Sequence, residues 1–369
     1  MKKFLFFAAA LLCVTTVNAK TWRINYDDNA NADFKTLAAA CASTRVKKGD
    51  VLYVEPCYHN GSTSDNTISK AVTVIGPGWG FKDDAEVISA YSSAKFANSV
   101  YIQHDSVTVR GIYTLNYISI GGYGSSYSDY QNITIERCRA HAIEIYDLGG
   151  VAQHIVIRNN YVEGNINIAY PSRADYISIV GNIVLGQIRC NSNTESTLID
   201  HNTIIYSPYS GSENCITNNG INTQIYNNII INTNSSYKNT AICNFDASYP
   251  IRYNVFSIEA SYVPQQADEG NNVYTALNTN HYIGATKENT FSGSVTQTMF
   301  DPAVTYQVMD GNAAKTADQN GGECGAFGGS YPYVLCGRPA GTPYLYDIAV
   351  PDKSVDNQLN VTFKVNASN

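Results

Sequence analysis

Six segments of this chain repeat one short pattern of alternating aliphatic residues that closes on a small side chain. They read NITIERC from Asn132, HIVIRNN from His154, YISIVGN from Tyr176, STLIDHN from Ser196, NTQIYNN from Asn222 and a degenerate PIRYN from Pro250. Their last residues are Cys138, Asn160, Asn182, Asn202, Asn228 and Asn254, separated by 22, 22, 20, 26 and 26 positions. A period in the twenties with short alternating strands predicts a solenoid in which each coil adds one strand per face, about 4.8 Å from the last. Asparagine is a poor strand former, so its return at one phase needs a physical reason. In stacked parallel coils an inward amide at a bend can bond the coils above and below, each donor meeting the next acceptor. Asn also tolerates the left-handed backbone that a tight bend requires. Cys138 would end such a ladder with a compact, apolar thiol. The earlier segments VTVIG from Val72 and VTVRG from Val107 carry the strand pattern without the Asn.

A second strand column follows in several coils, with Ile143/Ile145, Ile166/Ile168 and Ile188/Cys190 as its inward residues. Cys215 and Cys243 are expected to continue it as small hydrophobes of the core. Alternation then turns Glu144, Asn167, Arg189 and Asn214 outward as a polar column. Ahead of the repeats, Asp33 is expected to cap a helix from Phe34 to about Ser43, which would cover the open end of the solenoid against edge pairing. Residues from about Phe256 to Gly322 lose the phase and are expected to hold insertions on one face. The tail ends in a strand, QLNVTFKV, expected to pack against the last coil.

The first nineteen residues read as a secretory signal: Lys2 and Lys3, an apolar run from Phe4 to Val14, and the small-residue site Val17-Asn18-Ala19. That run is shorter than the roughly 20 apolar residues of a membrane span. Removal of residues 1–19 would leave 369 − 19 = 350 residues with 24 − 2 = 22 basic and 31 acidic side chains, a balance of −9. No basic footprint for nucleic acid is present. Only 15% of residues are charged against 28 tyrosines and 27 glycines, the composition of an all-β exported chain. Cys324–Cys336 and Cys41–Cys57 are the expected disulfides among the eight remaining cysteines. Without CxxC or HxxxH spacing, no metal site is expected.

Two further stretches carry a resemblance. DFKTLAAACASTRVKKGDVLYVEPCYHNG resembles the capping start of pectin-lyase-like right-handed parallel β-helix proteins, with Cys57 where that family usually has Gly. DPAVTYQVMDGNAAKTADQNGGECGAFGG resembles the closing segment of exported Bacteroidetes-type β-helix proteins. The resemblance implies a single-stranded right-handed parallel β-helix with a short N-terminal capping helix. Signal peptide (1–19), β-helix (20–337) and C-terminal strand segment (338–369) would be its parts. A periplasmic, surface or secreted bacterial protein, monomeric, is implied. Activity is not, because the superfamily holds lyases, hydrolases, esterases, tailspikes and proteins without catalysis.

Chemistry is sparse. The only DD pairs, Asp27-Asp28 and Asp83-Asp84, precede the central coils, and there is no GHG turn, so a polygalacturonase-like site is not expected. The polar column is the candidate surface. Arg139, His141, Tyr146, Asn167, Tyr170 and Asn214 would hold a glycan, Tyr rings stacking on sugar faces and Arg pairing with carboxylates. The expectation is polysaccharide binding along a Tyr-rich face. The alternative is a polysaccharide lyase, ahead of a glycoside hydrolase, with Arg189 or Arg137 as base, Glu144 as acid, and calcium if a lyase. A structural surface or adhesion protein is the third reading. His201, beside Asp200, reads as a surface turn residue.

Overall fold

The structure is a computed structural model, describing residues 19–79, 93–122, 129–146, 150–168, 173–190, 194–210, 213–218, 222–234, 236, 251–257, 281–282, 285–291, 306–334, 343–349 and 362–367. The signal-like residues 1–18 and Tyr170, Cys243 and Cys336 lie outside this set.

The repeat folds as a parallel β-solenoid. One sheet stacks Thr21–Ile24, Val51–Val54, Thr73–Ile75, Thr108–Arg110, Tyr130–Glu136, Val151–Arg158, Arg173–Val180, Leu198–Asp200, Gln224–Tyr226 and Ile251–Arg252 in chain order. In the second sheet the long strand Arg139–Tyr146 pairs through its first half with Tyr161–Val162 and through its second half with Ile166–Ile168. The face therefore splits at a corner, and the next coil repeats the split with Ile183–Val184 and Ile188–Cys190. Glycines make the corner: a Cβ on Gly186 would lie 2.5 Å from the carbonyl carbon and oxygen of Gly164. The alternating aliphatics of both sheets point into one core of fully buried Ile and Val, with Cys138, Cys190 and Cys215 among them.

The ladder forms as the repeat predicts. Cys138 N–H donates to Asn160 Oδ1 at 2.9 Å, Asn160 N–H to Asn182 Oδ1 at 2.9 Å, Asn182 N–H to Asn202 Oδ1 at 2.9 Å, Asn202 N–H to Asn228 Oδ1 at 2.8 Å and Asn228 N–H to Asn254 Oδ1 at 2.9 Å. Each Nδ2 also reaches a strand carbonyl of the previous coil, from Ile135 for Asn160 to Ile225 for Asn254. Every ladder residue is fully buried. The left-handed backbone, however, belongs to the residue before the ladder position: Arg137, Asn159, Gly181, His201, Asn227 and Tyr253 have φ of 55°, 53°, 66°, 50°, 55° and 58°. The ladder Asn supplies the bonds, and its neighbour supplies the bend.

At the start of the chain the helix is Leu37–Ala42, capped by Thr36, whose Oγ1 accepts from Ala39 N–H at 3.1 Å. Asp33 does not cap it. Phe34 is bridged to Ile24, and the Asp33 carboxylate accepts from Arg23 N–H at 2.9 Å. Neither expected disulfide stands: Cys41, Cys57 and Cys324 are all free and buried. Cys57 Sγ lies 3.1 Å from His59 Nε2, and Cys324 Sγ donates to Tyr253 O at 3.2 Å.

The outer face of the second sheet is not bare. Tyr161, Ile183, Leu185, Ile205, Ile229, Ile231 and Val255 form a second apolar cluster with Phe291, Tyr306, Val308, Ala326 and Tyr333. The residues after the repeats thus run back along the solenoid wall. The final strand expected from QLNVTFKV is present as Thr362–Ala367, paired antiparallel with Pro343–Ala349 in a two-stranded sheet of their own.

Candidate functional site

Beyond the glycine corner, the second half of the sheet carries an outward row. Tyr101, Ser119, Glu144, Asn167, Arg189 and Thr217 are successive register partners. Their flanking residues, Ile143, Ile145, Ile166, Ile168, Ile188 and Cys190, are buried, so alternation directs the row outward. Asn214 is not in it. Arg189 pairs with Thr217, and Cys190 pairs with Asn218 rather than Cys215, because the coil from Thr203 to Asn218 is longer than the echo of RCNSN in CITNN implied.

Glu144 is half-buried, and burial pushes its carboxyl above the ordinary carboxylate range, with His141 pulling partly the other way. Asn167 is 9% exposed, and its Oδ1 has no hydrogen-bond partner among the described residues. A buried amide oxygen without a donor costs on the order of 1–3 kcal/mol, a deficit that a bound hydroxyl or N–H would remove. Arg189 Nε donates to Gln187 Oε1, and among the described residues no carboxylate lies within ion-pair distance of its guanidinium. Gln187 is fixed in turn, its N–H donating to Asn165 Oδ1 at 2.8 Å. Glu213 accepts from Tyr206 OH at 2.9 Å and Tyr209 N–H at 2.8 Å, and those bonds hold its carboxyl below the ordinary range, helped by Arg189. His141 is exposed and stands edge-on to the ring of Tyr117 at 6.0 Å, and Tyr117 is itself 37% exposed.

The other sequence candidates sit elsewhere. Arg139 is engaged. Its guanidinium pairs with Glu163 and lies 4.4 Å from the Tyr113 ring and 5.6 Å from the Tyr161 ring. Arg137 is at a left-handed bend one strand away from Glu144, where its carbonyl accepts from Trp79 Nε1–H at 3.0 Å. Burial lowers its guanidinium, and the neighbouring Arg110 and Arg158 add to this. Arg137 and Arg189 therefore do not share a site. Tyr146, half-buried, ends the strand that carries Glu144. Gln187, Tyr117, Tyr206 and Glu213 belong to the site and were not foreseen. Only Gln187, echoing Asn165 one repeat earlier, left a sequence signal.

Among the described residues, no group of three or more His, Cys, Asp or Glu is arranged to hold a metal ion. Glu144 flanked by an amide and a guanidinium, with Glu213 already accepting from Tyr206 OH and Tyr209 N–H, does not suit a hard divalent cation, so no step through calcium is derived.

The bend between the two sheets has its own polar cluster. His201, read from sequence as a surface turn residue, is buried at 5% exposure beneath Gly328 and Gly329. Its Nδ1 lies 2.9 Å from Asp200 Oδ2, and its Nε2 lies 3.5 Å from Asp318 Oδ2.

In comparisons with known proteins, no family model, curated sequence or solved structure matches this chain. What it is shown to share with β-helix proteins is the parallel solenoid itself.

Proposed function

We propose that the chain is an exported β-helix protein that binds polysaccharide along the row Glu144–Asn167–Arg189, with the glycan laid along the solenoid axis. The observation that carries this reading is the orphaned Oδ1 of Asn167, a residue 9% exposed, between a half-buried acid and a guanidinium with no carboxylate at ion-pair distance among the described residues. An extended sugar chain supplies what that row lacks. It offers a hydroxyl donor for Asn167, an acidic or hydroxyl oxygen for Arg189, and a ring face for Tyr117 and His141. Register partners stand about 4.8 Å apart, a spacing that suits repeated hydroxyls of a chain-like ligand better than a compact one.

A second reading is favoured by the opposite environments of Glu144 and Glu213, one carboxyl pushed up and the other held down. Such divergence suits an acid and its partner. In an elimination, Arg189 would take the proton beside a uronate carboxylate and Glu144 would protonate the leaving oxygen. Hydrolysis would instead require Glu213 as the second carboxylate.

The test is affinity electrophoresis of the mature chain against uronate-rich and neutral polysaccharides, with unsaturated products and reducing ends followed in parallel. Retardation by at least one glycan, lost in Asn167→Ala and Arg189→Ala, supports binding. Release of unsaturated ends, abolished in Arg189→Ala, supports the lyase. Retardation unchanged in both variants removes the row from either role.

A further inference from the structure

The residues from Asp318 to Tyr331 are pinned to the column of left-handed bends. Gln319 N–H donates to Asn227 Oδ1 at 2.9 Å and Gly325 N–H to Asn227 O at 2.8 Å. Ala326 N–H donates to Thr203 Oγ1 at 3.0 Å, and Asn159 Nδ2 reaches Tyr331 O at 2.8 Å. At the centre of this seam His201 stands between two carboxylates, Asp200 on its own bend and Asp318 on the closing segment. Asp318 Oδ1 is taken up within its own loop by Asn320 N–H and Gly322 N–H at 2.7 and 2.6 Å, which leaves Oδ2 facing the imidazole. The side chains of His201 and Asp318 are only 7% and 6% exposed. The flanking cleft, about 480 Å³, is lined by Asp200, Asp318, Glu323 and Tyr331.

We propose that His201 is a proton-operated latch, which holds the closing segment on the solenoid while the imidazole is charged and loosens it on deprotonation. The reason is the charge pairing at the ring: Nε2 is buried, makes no hydrogen bond, and is met by Asp318 Oδ2 at ion-pair distance. Nδ1 is fixed as a donor by Asp200, so the neutral ring carries its lone pair on Nε2 and points it at Asp318 Oδ2. An ion pair becomes two acceptors face to face in a site closed to water, and the Asp200 and Asp318 carboxylates then lack the charge between them. Among the described residues no other cation replaces it. Lys315 is bonded to Glu323 at 2.8 Å, and Arg158 is paired with Glu136 and lies over the Tyr331 ring. Among the described residues the other titratable neighbours are Tyr226, the register partner of Asp200 on the next coil, Cys324, whose thiol is raised by burial and by Asp318 and Asp200, and Glu323 and Tyr331 across the seam.

Burial alone would lower the imidazole, but the carboxylates of Asp200 and Asp318 on its two sides more than offset that and raise it above 6.5. A raised folded value means that the latch is complete below 6.5 and is lost as pH rises through the folded value. The opening is local, because the ladder and core do not depend on it.

The experiment is hydrogen exchange by mass spectrometry on the full chain across this range, corrected for intrinsic exchange. The opening equilibrium of residues 318–331 is expected to rise by up to about tenfold per pH unit between 6.5 and the folded value and to level off above it, as one linked proton requires. Peptides holding Asn160, Asn182 and Asn202 should not change. Asp318→Asn, whose amide can donate to a neutral Nε2, should keep the segment protected at high pH. His201→Gln should remove the pH dependence. Flat protection of 318–331 in the wild type overturns the latch. So does wild-type pH dependence in Asp318→Asn, the variant that decides if His201→Gln fails to fold.

Discussion

Asn182 Oδ1 accepts both hydrogens that Asn160 sends up the stack, the backbone N–H at 2.9 Å and the Nδ2 hydrogen at 3.0 Å. Asn182 repeats this toward Asn202 while its Nδ2 donates to Ile157 O at 2.9 Å. One residue thus satisfies groups in three coils, all without access to water.

Asn182→Ala should for that reason be among the most damaging single changes in the central coils. It strands Asn160 N–H, Asn160 Nδ2 and Ile157 O. At roughly 1–3 kcal/mol per buried orphan, partly relieved by relaxation, the loss should be on the order of 3–5 kcal/mol. Asn182→Asp should cost at least as much, because it keeps the acceptor but replaces the donor with charge. Urea unfolding followed by circular dichroism measures both. A loss below about 1 kcal/mol for either would mean that the ladder is decoration on an already stable stack.

The stack was legible because Asn at a fixed phase among alternating aliphatics has a narrow physical meaning: only a repeat of parallel coils satisfies those amides. The outward direction of Glu144, Asn167 and Arg189 followed from the same alternation. Asn214 was misplaced because a period that stretches between coils shifts the register, and Thr217 takes the position. Helix capping passed from Asp33 to Thr36 because Phe34 is drawn into a bridge with Ile24, a tertiary contact that local propensity does not contain. His201 was misread for a similar reason. What buries it is Gly328-Gly329, more than a hundred residues later along the chain, chosen for closeness to the ring.

The thiols offer a direct check on the corrected cysteines. Cys41, Cys57, Cys138, Cys190 and Cys324 are buried free thiols, Cys215 is buried as well, and burial pushes Cys138 and Cys190 up to about 12. Thiolate is the reactive form, so the folded chain should resist alkylation at all six positions and react on unfolding. Peptide mapping after labelling with and without urea reads this residue by residue. A non-reducible peptide map should show Cys41 and Cys57 separate, and a linked pair would contradict the structure.

Gly186→Ala tests the corner that brings the row together. The new methyl would meet the Gly164 carbonyl carbon and oxygen at 2.5 Å, backbone that cannot swing aside as a side chain would. Relief requires the coils to part at Ile166 and Ile188, where Ile166 N–H donates to Gln187 O at 2.9 Å and the register holds Asn167 beside Arg189. Destabilisation of about 1–3 kcal/mol is expected from such overpacking, together with weakened glycan retardation. Gly311→Ala is a useful contrast in space alone, because nothing lies within 4 Å of its added methyl. Its φ of +80° still imposes strain, so its cost should come without any change at the row.

Glu144 makes the last prediction, one of sign. Its folded carboxyl is raised above 4.5 by burial, so the folded state holds a proton that the unfolded chain has already released. Stability contributed by this group is therefore greatest below 4.5 and declines as pH rises through the folded value. Glu144→Gln removes the titration while keeping the shape. The variant should gain on the wild type across that window and remain more stable at neutral pH. Thermal unfolding of the pair from acid to neutral pH reads the difference. An increase confined to neutral pH fits a buried acid held ready to bind or to donate a proton. A decrease there would show that the ionised form has a partner in the folded protein, and would move the acid role away from Glu144.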